Sequence, residues 1–323
     1  MRILVTGGSG FIGTNAVDYL IESGIECINF DLKEPQKTNH LPYWKKVDIR
    51  NKTELDSAIA NFKPSHVLHL AAMTGMNISD MDYFAANTVG VENLIHSLTS
   101  IKEIKRIVFT SSLLVCRNGY IPNNYDDYCP PNLYGKSKVI GEKIVKNTKA
   151  NFSWSIVRPT SIWGPYFKDS YRSFFGVINK GYYFHPNNLE IYKPKSYVGN
   201  TVYMMFQILF EESGNVEKKT FYLSDYPYTT TREWADLIKS EMDQGKVRSI
   251  PLWLYKYIAI IGDIAKILHY QDPPISSFRL NNMLTGGIYP IENTKEICGD
   301  LPFTLKQGVQ NTIRWLKYIK EIT

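Results

Sequence analysis

The chain has 323 residues, 44% of them hydrophobic and 21% charged, the balance of a globular protein rather than a disordered one. A formal net charge of +6 favours anionic ligands or surfaces, yet no basic block with interleaved aromatics argues for nucleic acid. Cys27, Cys116, Cys129 and Cys298 are scattered without metal-ligand spacing, and Met1 runs straight into an apolar strand with no targeting segment, so we expect reduced thiols and a cytoplasmic protein.

RILVTG reads as a short apolar strand and FIGTNAVDYLIESG as a helix that Gly24 can close. Gly7, Gly10 and Gly13 fall at their junction, where bare backbone can approach a diphosphate beneath the free N–H groups of a helix N-terminus. The strand before and the helix after are the context such a pattern needs; the alternative is a glycine-rich tight turn. ECINFD is the next strand and ends on Asp31. A carboxylate there can accept from both ribose hydroxyls of an adenosine and would repel a 2′-phosphate, which favours NAD over NADP, although Lys33 and Lys37 could soften the repulsion. In the following strand, KKVDI, Asp48 is either a partner for an adenine amino group or an ordinary strand-end aspartate.

A helix over about 53–62, the strand HVLHLAA, a helix over 82–100, the strand RIVFTSS, a helix over 132–149 and the strand SWSIVRP continue the alternation. This order predicts an α/β fold, a Rossmann-type doubly wound parallel sheet. We expect residues 1–165 to form the dinucleotide-binding domain and 166–323 a smaller, mixed, mainly substrate-binding domain, with some segments crossing back. FYLSD looks like a late strand, and TREWADLIKSEM like a helix capped by a threonine. The apolar stretch 250–270 is broken by Lys256, Asp263 and Lys266 and is too short to span a bilayer. It reads either as a helix packed on the substrate domain or as one lying in the membrane interface, with Leu254 and Ile258 on the contact face.

NLYGKSK puts Tyr134 and Lys138 on one helix face, as many solvated helices do. The wider pattern gives the pair meaning. The glycine motif, HLAAMTG at 69–75, the run Asn87-Thr88-Val89-Gly90, FTSSLLV at 109–115, YGKSK, RPTSIWGP at 158–165, SYVGN at 196–200 and the closing LPFTLKQGVQNTIRWL occur in one order along nearly the whole chain. In that order they resemble the extended short-chain dehydrogenase/reductase family, the NAD-dependent sugar epimerases, dehydratases and reductases.

The resemblance implies that Tyr134 is the acid/base and that Lys138 holds the nicotinamide ribose and lowers the phenol pKa. It makes Ser112 the hydroxyl that bonds the reacting sugar, with Ser111 as the competing choice. It places cofactor contacts at Gly7, Gly10, Phe11, Ile12, Gly13, Asp31, Asp48, Ile49, Leu70, Ala71, Ala72 and Asn87, besides Tyr134 and Lys138. Two departures are informative. Cys116-Arg117 stands where the family usually has Tyr-Gly, so a wall of the sugar pocket should differ. Leu113 and Leu114 stand where 4,6-dehydratases carry an Asp-Glu pair, which argues against water elimination.

The reaction implied is hydride transfer at a sugar's 4-position: an epimerase that regenerates NAD each cycle, or a 4-ketoreductase of a 4-keto-6-deoxy sugar using NAD(P)H. Asp31 tilts the choice to the epimerase. A third possibility, an NAD-binding sensor without chemistry, would be expected to lack the tyrosine or the lysine. The substrate diphosphate should meet cations of the second half, with Arg172, His185, Lys193, Lys195 and Arg279 as candidates, and Tyr182–Tyr183–Phe184 could stack on a nucleobase. RPTSIWG, SYVGNTV and the segment led by Pro251 are similar to a branch that epimerises N-acetylglucosamine on a polyprenyl diphosphate. The partner would then be a nucleotide sugar or a lipid-diphosphate sugar in surface polysaccharide synthesis, with peripheral membrane contact through 250–270. Family members often form homodimers.

Overall fold

The computed structural model describes residues 1–168, 170–187, 189–268 and 276–322. The first half alternates as its apolar runs predict: β1 (Arg2–Thr6), α1 (Phe11–Glu22), β2 (Glu26–Asp31), β3 (Trp44–Lys46), α2 (Lys52–Phe62), β4 (His66–His69), α3 (Val89–Thr99), β5 (Arg106–Thr110), α4 (Leu133–Lys146) and β6 (Ser153–Pro159). The second half holds β7 (Ser161–Trp163), α5 (Ser170–Asn179), β8 (Phe184–Pro186), β9 (Lys195–Tyr197), α6 (Val198–Phe210), β10 (Lys219–Leu223), α7 (Thr231–Glu241), β11 (Arg248–Ile250), α8 (Leu252–Ile267), α9 (Ser277–Leu284), α10 (Glu292–Cys298) and α11 (Leu305–Tyr318).

Seven strands form one parallel sheet in the order β10-β6-β5-β4-β1-β2-β3. Alternate strand residues point to opposite faces. Ile3, Val5, Leu68 and Val108 pack with Ala16 and Leu20 of α1 and Phe206 and Leu209 of α6. Leu4, Val67, Ile107 and Phe109 pack on the other side with Leu55, Leu94 and Val145 of α2, α3 and α4. Strand order reverses between β1 and β4, and the crevice at the carboxyl ends of such strands is where doubly wound sheets bind ligands.

α6 and β10 come from the second half yet complete the covering and edge of this sheet. The turn into α6 is held by Asp225, which accepts from Ser196 Oγ (2.9 Å), Tyr197 N (2.9 Å) and Asn200 Nδ2 (3.1 Å). Two small parallel pairs, β7 with β9 and β8 with β11, build the remainder. The predicted helix over 82–100 is instead a 3-10 turn, Asp82–Asn87, followed by α3, and the KKVDI strand stops at Lys46.

Candidate active site

The glycine loop is shaped by approaches that forbid side chains. Gly7 has φ +76°, and a Cβ on it would lie 2.6 Å from Ala71 N; one on Gly13 would lie 2.2 Å from Gly7 O. Gly10 caps α1 in an extended conformation, so the first N–H groups of that helix face the loop. Asn29, missed in the sequence reading, supports the loop from below: its Oδ1 accepts from Gly8 N (2.8 Å) and its Nδ2 donates to Ser9 Oγ (3.0 Å).

Asp31 stands at the end of β2, where its two carboxylate oxygens accept from Ser9 N (3.0 Å) and Lys33 N (2.9 Å). Each oxygen keeps a further acceptor site. Lys37 does not sit beside it as the sequence allowed; its ammonium donates to Asp18 at 2.5 Å. Asp48 is bound side-on by Arg50, with Nη2 2.7 Å from Oδ2, and this ion pair holds its carboxyl below the ordinary range. Ile49 packs under Gly90, where a Cβ would come within 2.6 Å of its Cδ1.

Leu70, Ala71 and Ala72 leave β4 beside the glycine loop, with Leu70 N on Thr6 O (2.9 Å) and Ala71 N on Thr6 Oγ1 (3.3 Å). Asn87, expected to touch the cofactor, is a buried brace. Its Nδ2 donates to Met73 O and Ser137 Oγ, both at 2.9 Å, and its Oδ1 accepts from Met73 N at 2.8 Å. Both amide hydrogens are engaged within the protein, so it shapes the loop beside the expected cofactor position.

The sheet edge at β5 carries the proposed chemistry. After Thr110 the chain makes a 3-10 turn, Leu113–Val115, capped by Ser112, whose Oγ accepts from Leu114 N at 3.1 Å. α4 begins against this turn, with Asn132 as its cap. A Cβ on Gly135 would fall 2.2 Å from Leu114 O, so only glycine lets the helix start this close. The approach sets Tyr134 beside the Ser112 hydroxyl. Burial pushes the Tyr134 phenol up from its ordinary value and the Ser112 hydroxyl pulls it down. In the protein alone burial outweighs the Ser112 contribution, so the phenol lies above its ordinary value.

Lys138 is buried one turn along, donating through Nζ to Thr110 O at 2.9 Å. Burial depresses its pKa to about 8, with the Glu142 charge opposing. His69, hydrogen-bonded to Thr6 Oγ1 at 2.7 Å, is driven to about 3 by burial and then by Lys138, so it is neutral. A cavity of ≈ 20 Å³ lined by His69, Thr110, Lys138 and Glu142 adjoins Thr110 Oγ1, which has no protein partner.

Ser111 does not turn toward Tyr134. Its Oγ donates to Glu142 at 2.5 Å, and Glu142 also accepts from Arg158 Nε (2.8 Å) and Nη2 (2.7 Å) and from Tyr128 Oη (2.9 Å). This buried ion pair beneath Lys138 was not anticipated. Glu142 repeats the Tyr134–Lys138 spacing once more along the same helix face, the one signal that could have exposed it.

The expected diphosphate cations are otherwise engaged. Arg172 pairs with Glu321 and lies over Trp315. His185 is buried between Tyr183 Oη (3.1 Å) and Leu189 O (3.3 Å). Lys195 is buried, donating to Thr229 O (2.7 Å) over the Trp234 ring. The Arg279 side chain lies outside the described residues. Lys193 differs: half-buried, it donates through Nζ to the Asn282 carbonyl (2.6 Å), the one hydrogen-bond partner of that ammonium among the described residues, and burial lowers its pKa with no carboxylate opposing. Tyr183 and Phe184 belong to hydrophobic clusters, leaving Tyr182 exposed. Cys116 is buried with Val115 and Val139.

On α8, Trp253, Tyr257, Ile260, Ile261, Ile264 and Ile267 are exposed along one side while Tyr255, Ala259 and Gly262 are buried. The exposed face is thus not centred on Leu254 and Ile258, which are half-buried. Among the described residues, no helix is long and apolar enough to cross a membrane.

The sequence model of the NAD dependent epimerase/dehydratase family matches residues 3–185. The N-acetyl-alpha-D-glucosaminyl-diphospho-ditrans,octacis-undecaprenol 4-epimerase of Escherichia coli O157:H7 is 26% identical over 97% of this chain and 95% of its own length. A GDP-6-deoxy-D-talose 4-dehydrogenase of Aggregatibacter actinomycetemcomitans is 30% identical over 51% of this chain and 54% of its own. Among solved structures, the UDP-glucose 4-epimerase of Thermotoga maritima with UDP-glucose shares the fold, with TM-score 0.74 at 20% identity over 99% of each chain.

Proposed function

The chain belongs to the NAD-dependent epimerase/dehydratase family, and on that premise we propose that it is a sugar 4-epimerase, inverting carbon 4 of a hexose or hexosamine carried on a diphosphate. The observation that carries this reading is the placement of Tyr134 and Ser112 side by side, where α4 starts against the Ser112 turn at the carboxyl edge of the sheet, with Lys138 buried one turn below. Gly7, Gly10 and Gly13 fit a dinucleotide diphosphate, Asp31 its adenosine ribose and Lys138 its nicotinamide ribose. NAD bound there supplies a hydride acceptor at carbon 4 that later acts as donor.

Ser112 holds the 4-oxygen, Tyr134 takes its proton, and Tyr134 returns the proton once the 4-keto sugar has turned over. Asp31 has no lysine ammonium bonded to its carboxylate, because Lys37 is held by Asp18, and this supports NAD over its 2′-phosphorylated form. Leu113 and Leu114 in the turn after Ser112 offer no carboxyl for the elimination that a dehydratase performs. Lys193, half-buried with no carboxylate charge opposing its burial, is our choice for the substrate diphosphate.

We infer further that the carrier is a polyprenyl diphosphate and that the enzyme works at the inner face of a membrane, in surface polysaccharide synthesis. Support comes from α8, whose exposed apolar side carries Trp253 and Tyr257 near one end, with Lys256 and Lys266 available for anionic headgroups. Its near full-length similarity to an undecaprenol-linked 4-epimerase supports the same carrier. The second reading, a 4-ketoreductase, is favoured by the similarity to the 4-dehydrogenase over about half the chain. Denaturing the purified protein and identifying what it releases separates the two. Stoichiometric NAD supports the epimerase, whereas an empty protein that binds NADPH best supports the ketoreductase.

A further inference from the structure

Two cysteines, Cys116 and Cys129, meet just before the helix that carries Tyr134. The Cys129 carbonyl accepts from Arg117 N (2.7 Å) and its N–H donates to Val115 O (3.0 Å), which makes Cys116 and Cys129 direct partners in a parallel β-bridge. Adjacent strands lie ~4.8 Å apart, inside the range of about 4.4–6.8 Å between Cα atoms that a disulfide requires. Residues paired in this way direct their side chains to the same face. Both are free thiols. Cys116 is buried near Tyr120 and Tyr128 and donates to Asp127 O at 3.3 Å, while Cys129 is half-buried. A reagent from solution therefore meets Cys129 first.

We propose that Cys116 and Cys129 are a covalent modification site, closing into a reversible disulfide by exchange with a low-molecular-weight disulfide. The Cys129 thiolate attacks one sulfur of oxidised glutathione and expels the first glutathione thiolate, which takes up the proton Cys129 has lost. Cys116, its proton passed to solvent, then attacks the Cys129 sulfur of the mixed disulfide and expels the second glutathione, which is protonated in turn. Two protein thiols are oxidised and one small disulfide is reduced to two thiols. Burial pushes the Cys116 thiol up, which makes the second step the slower one. The bond would tie the Ser112 turn, which ends at Val115, to the segment that enters α4. In a reducing compartment it would form only transiently.

The test exposes the full-length protein with its bound cofactor to oxidised glutathione under native conditions, then alkylates and maps it by mass spectrometry. We expect peptides joined through Cys116 and Cys129, separated again by dithiothreitol. The Cys129→Ser variant should give no joined peptide, and Cys116→Ser should accumulate glutathione on Cys129. Cys27 and Cys298, both buried, should react only after unfolding. The proposal is overturned if the parent protein holds glutathione on Cys129 without the internal link, or stays reduced where the unfolded chain oxidises. The readout is mass, so it stands apart from whether the protein is an epimerase.

Discussion

Lys138 is a cation whose ammonium donates to a carbonyl, Thr110 O, in a buried position. Burial brings its pKa from 10.5 to about 8, so carrying the charge at neutral pH costs the fold stability. Lys138→Met should therefore lower turnover by ~100-fold or more without lowering the melting temperature. Between about pH 8 and 10.5 the unfolded chain binds the Lys138 proton more tightly than the folded one, so this group's contribution to stability rises with pH. Parallel melts of parent and variant should accordingly converge across that window; a variant that melts lower at pH 7 contradicts the account. Tyr134→Phe should reduce turnover by ~10²–10⁴-fold while retaining bound dinucleotide, and turnover at the parent rate would remove Tyr134 from the mechanism. The placement of Tyr134, Lys138 and Ser112 on adjacent elements was legible from their spacing, whereas the roles proposed for them come from the family resemblance. Glu142 and Arg158 were not legible, because a buried ion pair between a helix and a strand is visible only once both are packed.

At the scale of elements, α4 depends on its start against the Ser112 turn. Gly135→Ala would put a methyl 2.2 Å from Leu114 O, backbone that cannot rotate aside. We expect a loss of about 1–3 kcal/mol, read by urea unfolding, together with lower turnover as Tyr134 moves from Ser112; a neutral result would mean that the helix start is loose. α8 makes a different prediction, since Ile261 and Ile264 are 65% and 51% exposed. Replacing both by lysine should abolish flotation with vesicles rich in phosphatidylglycerol and leave the melting temperature unchanged. A parent protein that fails to float would remove membrane contact from the reading. The apolar charge-broken pattern of 250–270 revealed the helix, but which side faces out depends on Phe184, Ile250 and Leu280 packing against it, which no local period encodes. The break at Thr88 was likewise hidden, because Asn87 reaches back to Met73 and across to Ser137.

Over the whole molecule, alternating apolar strands and helices were enough to predict a parallel doubly wound sheet, and the seven-stranded order bears that out. The return of α6 and β10 to that sheet was foreseen only as a possibility, since pairing of β10 with β6 joins segments far apart in the chain. The substrate side was the least legible. Arg172, His185 and Lys195 carry the residue types that bind phosphate, yet each has a carboxylate charge nearby, and only packing distinguishes them from Lys193, which has a carbonyl partner and no opposing carboxylate. The central claim is an epimerase that regenerates its own NAD through Tyr134. It is tested most directly by incubating the purified protein, without added dinucleotide, with N-acetylglucosamine deuterated at carbon 4 and linked to UDP or to undecaprenyl diphosphate. The account predicts the 4-epimer with deuterium still at carbon 4, formed faster on the lipid carrier. No epimer from either carrier, or a product that loses the label and needs NADPH, would contradict it.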